Sequence, residues 1–315
     1  MKGHSKCVWG RGAAAAMLIA AVVIAAPQPG AQRQAKKKAP AARQSTVHPA
    51  DTARPRRPAP PPARPADSTA PAAAPHPFQY RKIVNTAFAL GERLVFDVNY
   101  GYITAGEAVM SIPSYESVNG RLCYRIQFNV NSLPSFSWVF RVEDRYLTFL
   151  DTESIAPLKF EQHVREGTYS RDFVAQFDQV QHVARTTEGE YPIPEYVHDI
   201  MSAFYYFRTV DFSTAIVGER FALFNFYKDK SYELEVRFLG RQELEVGAGT
   251  FNTIVVEPLV KEGGLFKSEG RIVIWLTDDE LKIPVRVNTK VVIGSIDTEL
   301  REYSGLAGLP RARIK

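Results

Sequence analysis

Two acidic clusters, the three histidines beyond residue 78 and a group of aromatic residues are the side chains in this chain that could do chemistry. Glu143 and Asp144 stand next to each other in FRVEDRYLTF. That segment alternates like a strand, and neighbours in a strand point to opposite faces. Without a bulge the two carboxylates cannot share a site, so a structural cross-strand salt bridge is expected instead of an acid–base pair. Asp278, Asp279 and Glu280 offer oxygen ligands for a hard cation, but they lack the spaced Asp/Asn-plus-Gly pattern of a calcium loop and read as a hairpin turn. His163, His182 and His198 form no HxH or HExxH pair, which argues against zinc. His198 adjoins Asp199, yet no serine lies in a G-x-S-x-G turn, and Ser202 falls inside a helical pattern. No glycine-rich phosphate loop occurs. Nothing points to enzyme chemistry, and no catalytic, cofactor-binding or metal-binding residue is assigned.

The aromatic residues remain. Phe136, Trp138 and Phe140 lie in LPSFSWVF, Tyr205 and Phe207 in a helical segment, and Trp275 in a late strand. Aromatic residues at such spacings ordinarily build a core. The alternative is an apolar ligand groove lined by these six, because pockets are mostly apolar with few polar groups.

The elements that must position them are mainly strands. In ERLVFDVNY, Leu94, Phe96, Val98 and Tyr100 share one face; in YRIQFNV, Tyr124, Ile126, Phe128 and Val130 do; in YELEVRF, Tyr232, Leu234, Val236 and Phe238 do. Period-two alternation with one polar face indicates antiparallel strands. Similar patterns recur to residue 302, separated by turn signals such as Asn119-Gly120, Glu166-Gly167 and Gly247-Ala248-Gly249. The fold class is all-β: a strongly curved antiparallel sheet, open barrel or sandwich. One segment departs from this. Asp199 can cap a helix in which Ile200, Met201, Phe204, Tyr205 and Phe207 recur at three-to-four spacing. A short amphipathic helix is expected over 199–210, plugging the open end or concave side of the sheet. The densely charged polar faces argue against a transmembrane barrel.

The first 78 residues differ in kind. Lys2, Lys6 and Arg11 precede the small apolar run GAAAAMLIAAVVIAA, the layout of a secretory signal over residues 1–26. The run is short for a membrane span, which leaves an uncleaved anchor as the competing reading. Cys7 precedes the run and cannot be a lipoprotein's acylated cysteine. Residues 27–77 hold 13 of the 21 prolines and almost no large apolar side chains, so a disordered, basic, Pro/Ala-rich tether is expected. Residues 1–78 carry 12 Lys and Arg against two acids, whereas the remainder carries 27 against 32. The basic balance therefore belongs to the leader and tether, which can touch an anionic membrane surface. The chain beyond residue 78 is net −5 with no basic stripe, which argues against nucleic acid as the partner of the domain over 78–303. Residues 304–315 read as a loose tail. Cys123 lies in a strand and reads as a small buried hydrophobe.

Four blocks resemble the exported bacterial family known as domain of unknown function 3108: GERLVFDVNYGYITAGEAVMSIP (91–113), VEDRYLTFLDTESIAPLKFEQHVREGTYSRD (142–172), DIMSAFYYFR (199–208) and IWLTDDELKIPVRVNTKVVIGSIDTEL (274–300). The likeness spans nearly all of 88–303 and none of the tether. It implies an envelope-exported, mainly antiparallel β protein and brings no activity or catalytic residue with it. Curved half-barrels of this general kind also occur in periplasmic lipid and lipoprotein carriers, an analogy at the level of fold. The expected function is non-enzymatic binding or carriage of an apolar or amphipathic envelope molecule such as a lipid. The alternatives are a protein–protein interaction module of the envelope, or a hydrolase or transferase acting on envelope glycan or lipid. The expected location is the periplasm or envelope. The signal layout predicts a mature N-terminus between about Ala26 and Ala35. N-terminal sequencing of exported protein checks this, and intact Met1 in the membrane fraction would favour the anchor.

Overall fold

A computed structural model describes residues 78–259, 270–291 and 294–315. The export segment and tether expected over 1–77 lie outside the described residues. Among the described residues the chain from Arg93 runs as fourteen strands: β1 (Arg93–Tyr100), β2 (Ile103–Val118), β3 (Arg121–Ser132), β4 (Glu143–Asp151), β5 (Pro157–Glu166), β6 (Tyr169–Asp178), β7 (Val183–Thr186), β8 (Gly189–Pro192), β9 (Arg220–Tyr227), β10 (Lys230–Val246), β11 (Gly249–Leu259), β12 (Ile272–Thr277), β13 (Pro284–Lys290) and β14 (Ser295–Ser304). They form one antiparallel sheet in the order β8-β7-β6-β5-β4-β3-β2-β1-β14-β13-β12-β11-β10-β9. The last strand pairs with the first, Arg93 opposite Ser304, and joins two meanders at the middle of the sheet.

The expected alternation decides which face turns inward. Leu94, Phe96, Val98, Ile126, Phe128 and Val130 are buried in one continuous core. Register shifts at Val95/Phe96, Val98/Asn99, Ser111/Ser114, Phe149/Leu150, Phe238/Gly240 and Trp275/Leu276 bend the strands. Extra residues at such points increase twist and curvature. The sheet therefore rolls around its core, but β8 and β9 do not pair with each other. The outer edge of β8 is guarded by its four-residue length and by Glu190 and Pro192, which discourage edge pairing. At β9 the segment entering the helix takes the edge: His198 N donates to Phe224 O at 2.8 Å and Phe226 N to His198 O at 2.7 Å.

Helix α1 (Pro134–Ser137) is a single turn within LPSFSWVF, started by proline at its first position. The strand expected over FRVEDRYLTF accordingly begins only at Glu143. Helix α2 (Ile200–Arg208) is shorter than the expected 199–210. Asp199 caps it, with Oδ1 accepting from Met201 N at 2.8 Å and Ser202 N at 2.9 Å. Thr209 ends it by turning its hydroxyl onto Tyr206 O at 2.7 Å. The tail over 304–315 is ordered against the sheet, contrary to the loose end expected. Asn252 N donates to Ala312 O at 2.8 Å, and Ile314 N to Thr250 O at 2.8 Å. Strand β12 pairs with β11 only over Thr253–Val256, so the start of β11 has an open edge, and the tail fills it.

The far end of α2 is pinned by a buried ion pair. Arg208 and Glu92 have no exposed side-chain surface. Arg208 Nη1 and Nη2 each donate to a Glu92 oxygen at 2.7 Å. Nη2 also reaches Ala87 O at 2.9 Å, and Nε reaches Leu281 O at 3.1 Å. Burial works to lower the guanidinium's pKa, but the adjacent Glu92 carboxylate outweighs it and keeps the charge in place. Removing one partner leaves an uncompensated buried charge. Arg208→Met should therefore destabilise the domain by about 3–5 kcal/mol in urea unfolding, and Glu92→Met should do the same. The double Met variant should recover much of that loss, because neither charge then remains unpaired.

Candidate functional site

The six aromatic residues do not meet in one groove. Trp138 follows α1 and is 83% exposed. Phe136 and Phe140 pack partly buried against the main core. Tyr205 is fully buried in that core, edge-on to Phe88 at 4.9 Å between ring centres. Phe207 belongs to a second cluster with Phe212 and Phe238. Trp275 is partly buried, with the Arg286 guanidinium 6.0 Å from its ring centre. The helix thus packs its aromatic residues into both core clusters on the concave side.

Where the sheet fails to close, a small cleft remains. Strand β5 supplies Phe160 and Gln162, β6 supplies Arg171, Phe173 and Phe177, and β9 with its following turn supplies Phe226, Tyr227 and Lys228. The N-terminus of α2 supplies Asp199 and Ile200. Strand periodicity puts the β5 set and the β6 set each on one face: residues 160 and 162 are two apart, as are 171 and 173. The rings meet across the seam, Phe177 to Phe226 at 5.7 Å and Tyr191 to Phe226 at 6.1 Å. The cleft volume is about 20 Å3, room for roughly one water.

Two buried polar groups of this cleft are incompletely hydrogen-bonded. Asp199 is 2% exposed; its Oδ1 also accepts from Thr148 Oγ1 at 2.9 Å, but its Oδ2 accepts nothing. Burial pushes its carboxyl up to about 6, against the hydrogen bonds of Ser202, Thr148 and Met201. Gln162 is also 2% exposed; its Nε2 makes no hydrogen bond of good geometry, although its amide interacts with the Tyr146 hydroxyl. Arg171 and Lys228 place positive charge in the lining. Arg171 Nη2 bonds Glu188 Oε1 at 2.8 Å, and Lys228 Nζ lies 5.2 Å from the Tyr227 ring centre.

Deeper in the wall lies a pair of acids. Asp144, Tyr146 and Thr148 are the buried residues of alternate positions on β4, with Tyr146 opposite Gln162 and Thr148 opposite Phe160. Glu166 bridges to Val142 at the end of β5. Asp144 Oδ1 accepts from Arg165 N at 2.9 Å, and the Asp144 carboxyl interacts with the Glu166 carboxyl and the Tyr146 hydroxyl in one buried cluster. Burial and the Asp144 charge push Glu166 up to about 9, so it holds a proton at neutral pH. Burial raises Asp144 as well. The cross-strand salt bridge expected for this segment is not what Asp144 makes. Its side chain turns inward to another acid, while Glu143 turns outward and pairs with Arg141 at 2.6 Å. The acids are not among the cleft-lining residues, so they present no open position to a substrate.

His198 and Ser202 are in contact, Nδ1 to Oγ at 3.2 Å. The serine hydroxyl donates to Asp199 O at 3.1 Å, and Arg81 Nη2 lies 3.3 Å from His198 Nε2. The histidine therefore gives a proton toward the serine and accepts from the arginine, the reverse of what an activated nucleophile needs. Burial, helped by Arg81, holds it down to about 3, so it stays neutral. Cys123 is buried and pushed up to about 12 by that burial, an unreactive thiol. Asp279 closes the turn expected there, its Oδ1 accepting from Thr277 Oγ1 at 2.7 Å and Leu281 N at 3.1 Å. Sequence reasoning missed Gln162, Glu166, Arg171, Phe173, Phe177, Phe226 and Lys228. Period two alone could have put Phe160, Gln162 and Glu166 on one face.

Comparison with known proteins gives one family. The model of DUF3108, described as a protein of unknown function, matches residues 95–301. No curated protein matches the chain. Among solved structures, the chain is similar to a beta-barrel-like protein of domain of unknown function DUF1849 from Brucella abortus. The identity is 10% and the TM-score 0.45, over 69% of this chain and 99% of that one. It is also similar to a hypothetical protein from Chlamydia trachomatis at 9% identity and TM-score 0.29, over 73% of this chain and 94% of that one.

The acid pair makes stability depend on pH. Native Glu166 keeps its proton up to about pH 9, whereas the unfolded chain releases it near 4.5. The native state binds more protons across that window, so this contribution is full below pH 4.5 and is lost as pH rises toward 9. Glu166→Gln mimics the protonated form. It should raise stability by on the order of 1–3 kcal/mol at pH 8 and have little effect at pH 4. Urea unfolding of both proteins at the two pH values checks this.

Proposed function

The chain belongs to the DUF3108 family, whose function is unknown, and we propose that it is an exported, non-enzymatic envelope protein that binds an amphipathic envelope molecule at the seam of its rolled sheet. The observation that carries this reading is the buried, unpartnered Asp199 Oδ2 in the aromatic cleft, beside Gln162 Nε2, which makes no hydrogen bond of good geometry. A buried polar group without a partner is costly, and such groups are where a ligand or water completes the bonding. Asp199 Oδ2 suits a ligand donor and Gln162 Nε2 a ligand acceptor, as at the amide or hydroxyl junction of a lipid. Phe160, Phe173, Phe177 and Phe226 suit its chain, and Arg171 and Lys228 an acidic head group.

The cleft is narrow, and the bound state needs the seam to part. That motion slides ring contacts between Phe177, Tyr191 and Phe226 and breaks no β8–β9 ladder, since none exists. Export rests on the leader layout of residues 1–26. The filled interior favours a second reading, an interaction module that meets another envelope protein with its outer surface. A hydrolase or transferase has little support, because both acids of the inner pair are buried away from the cleft.

Native mass spectrometry of the protein purified from its own host should show a co-purifying amphiphile. Gln162→Leu keeps a similar volume and should stay folded, yet weaken binding of a fluorescent fatty-acid analogue by roughly 1–2 kcal/mol, about five- to thirtyfold. Asp199→Asn keeps the helix cap and should weaken it too. No binding by the parent at any pH would sink the carrier reading and leave the module.

A further inference from the structure

We propose that one end of the rolled sheet docks on an anionic lipid bilayer through two neighbouring loop tips. The first tip is the β1–β2 turn, where Tyr102 is 108% exposed, Ile103 59% and Tyr100 42%. The second follows α1, where Trp138 is 83% exposed and Val139 50%. The tips share one end because β2 and β3 pair with Gly106 opposite Ser132, and Leu133 N donates to Ala105 O at 2.9 Å.

The chemistry of these tips points to a bilayer. Tyr and Trp with an apolar body and a polar handle settle at membrane interfaces. The Trp138 indole N–H already donates to Ser135 O at 2.9 Å, so its ring can enter an apolar layer with no donor stranded. Behind the first tip, Thr104 Oγ1 donates to Asn99 Oδ1 at 2.8 Å, and behind the second, Arg141 pairs with Glu143 at 2.6 Å. Polar groups at the base of the tips are thus partnered among themselves. A fluid lipid surface accepts two separate tips without shape matching. A small apolar insertion alone binds weakly and reversibly, and stable attachment takes a second signal. The same chain carries one: residues 27–77 hold 9 Lys and Arg against two acids, a charge complementary to anionic lipid.

The test is co-sedimentation of the mature protein with vesicles of phosphatidylcholine and phosphatidylglycerol. The protein should pellet with them, and its tryptophan emission should shift to the blue. Tyr102→Ser with Trp138→Ser changes only exposed side chains and should weaken vesicle binding by about tenfold or more and abolish the blue shift. Deleting residues 27–77 should weaken binding to the mixed vesicles and lower the salt sensitivity of what binding remains. Gln162→Leu should leave vesicle binding intact, which separates this docking from the seam site. Vesicle binding that is absent, or unchanged in the double variant, would overturn the proposal. So would a parent dimer that the double variant dissolves, since a second copy of the chain would then cover the tips.

Discussion

The Arg208–Glu92 pair is the constraint on which the rest of the domain depends. It stands where the end of α2, the entry to β1 and the turn before β13 meet. Full burial of two charges is expensive, and only a nearly complete set of partners offsets it. Arg208 has that set: both carboxylate oxygens, two backbone carbonyls, and the Phe88 and Tyr205 rings at 5.3 and 5.1 Å. The pair is weak evidence for stability as such. It leaves one acceptable position for the helix end, because any slip would strand a charge in the core.

The other end of the helix is fixed by Asp199, and there the accounting is incomplete. One carboxylate oxygen carries two backbone donors and the Thr148 hydroxyl, and the other carries nothing. One helix thus runs from a saturated polar site to an unsaturated one. The unsaturated end lies at the seam, where side-chain packing and one short pairing to His198 take the place of a β8–β9 ladder. Local opening is easiest where few backbone hydrogen bonds must break. The place best able to move is therefore also the place with unfilled hydrogen-bonding capacity.

Acidic groups in the same interior reach different protonation states for physical reasons that can be named. Asp151 is buried too, but Arg121 and Ser154 bond it, and its carboxyl is lowered. Glu166 meets only desolvation and another acid and is raised to about 9. Burial alone did not decide the charge; the partners did.

The sequence by itself determined the elements whose cause is local. Alternation in ERLVFDVNY, YRIQFNV and YELEVRF set the strands and their inward faces, and Asp199 with the three-to-four spacing after it set the helix, because side-chain direction repeats with backbone geometry. Turn chemistry at Asn119-Gly120, with φ of 49° and 75°, fixed its hairpin. What joins residues far apart in the chain was decided only by the tertiary structure. Glu92 gave no sign that it would be buried beside Arg208, more than a hundred positions away. The aromatic residues were visible, but not that Trp138 would stand outside while Tyr205 vanished into the core. The tail LPRARIK read as loose because its backbone pairing depends on an open edge of β11, which no pattern of its own residues encodes. The cleft is the extreme case: its two walls are opposite ends of the sheet, and only curvature, the sum of twist and scattered register shifts, brings Gln162 and Phe226 into the same lining.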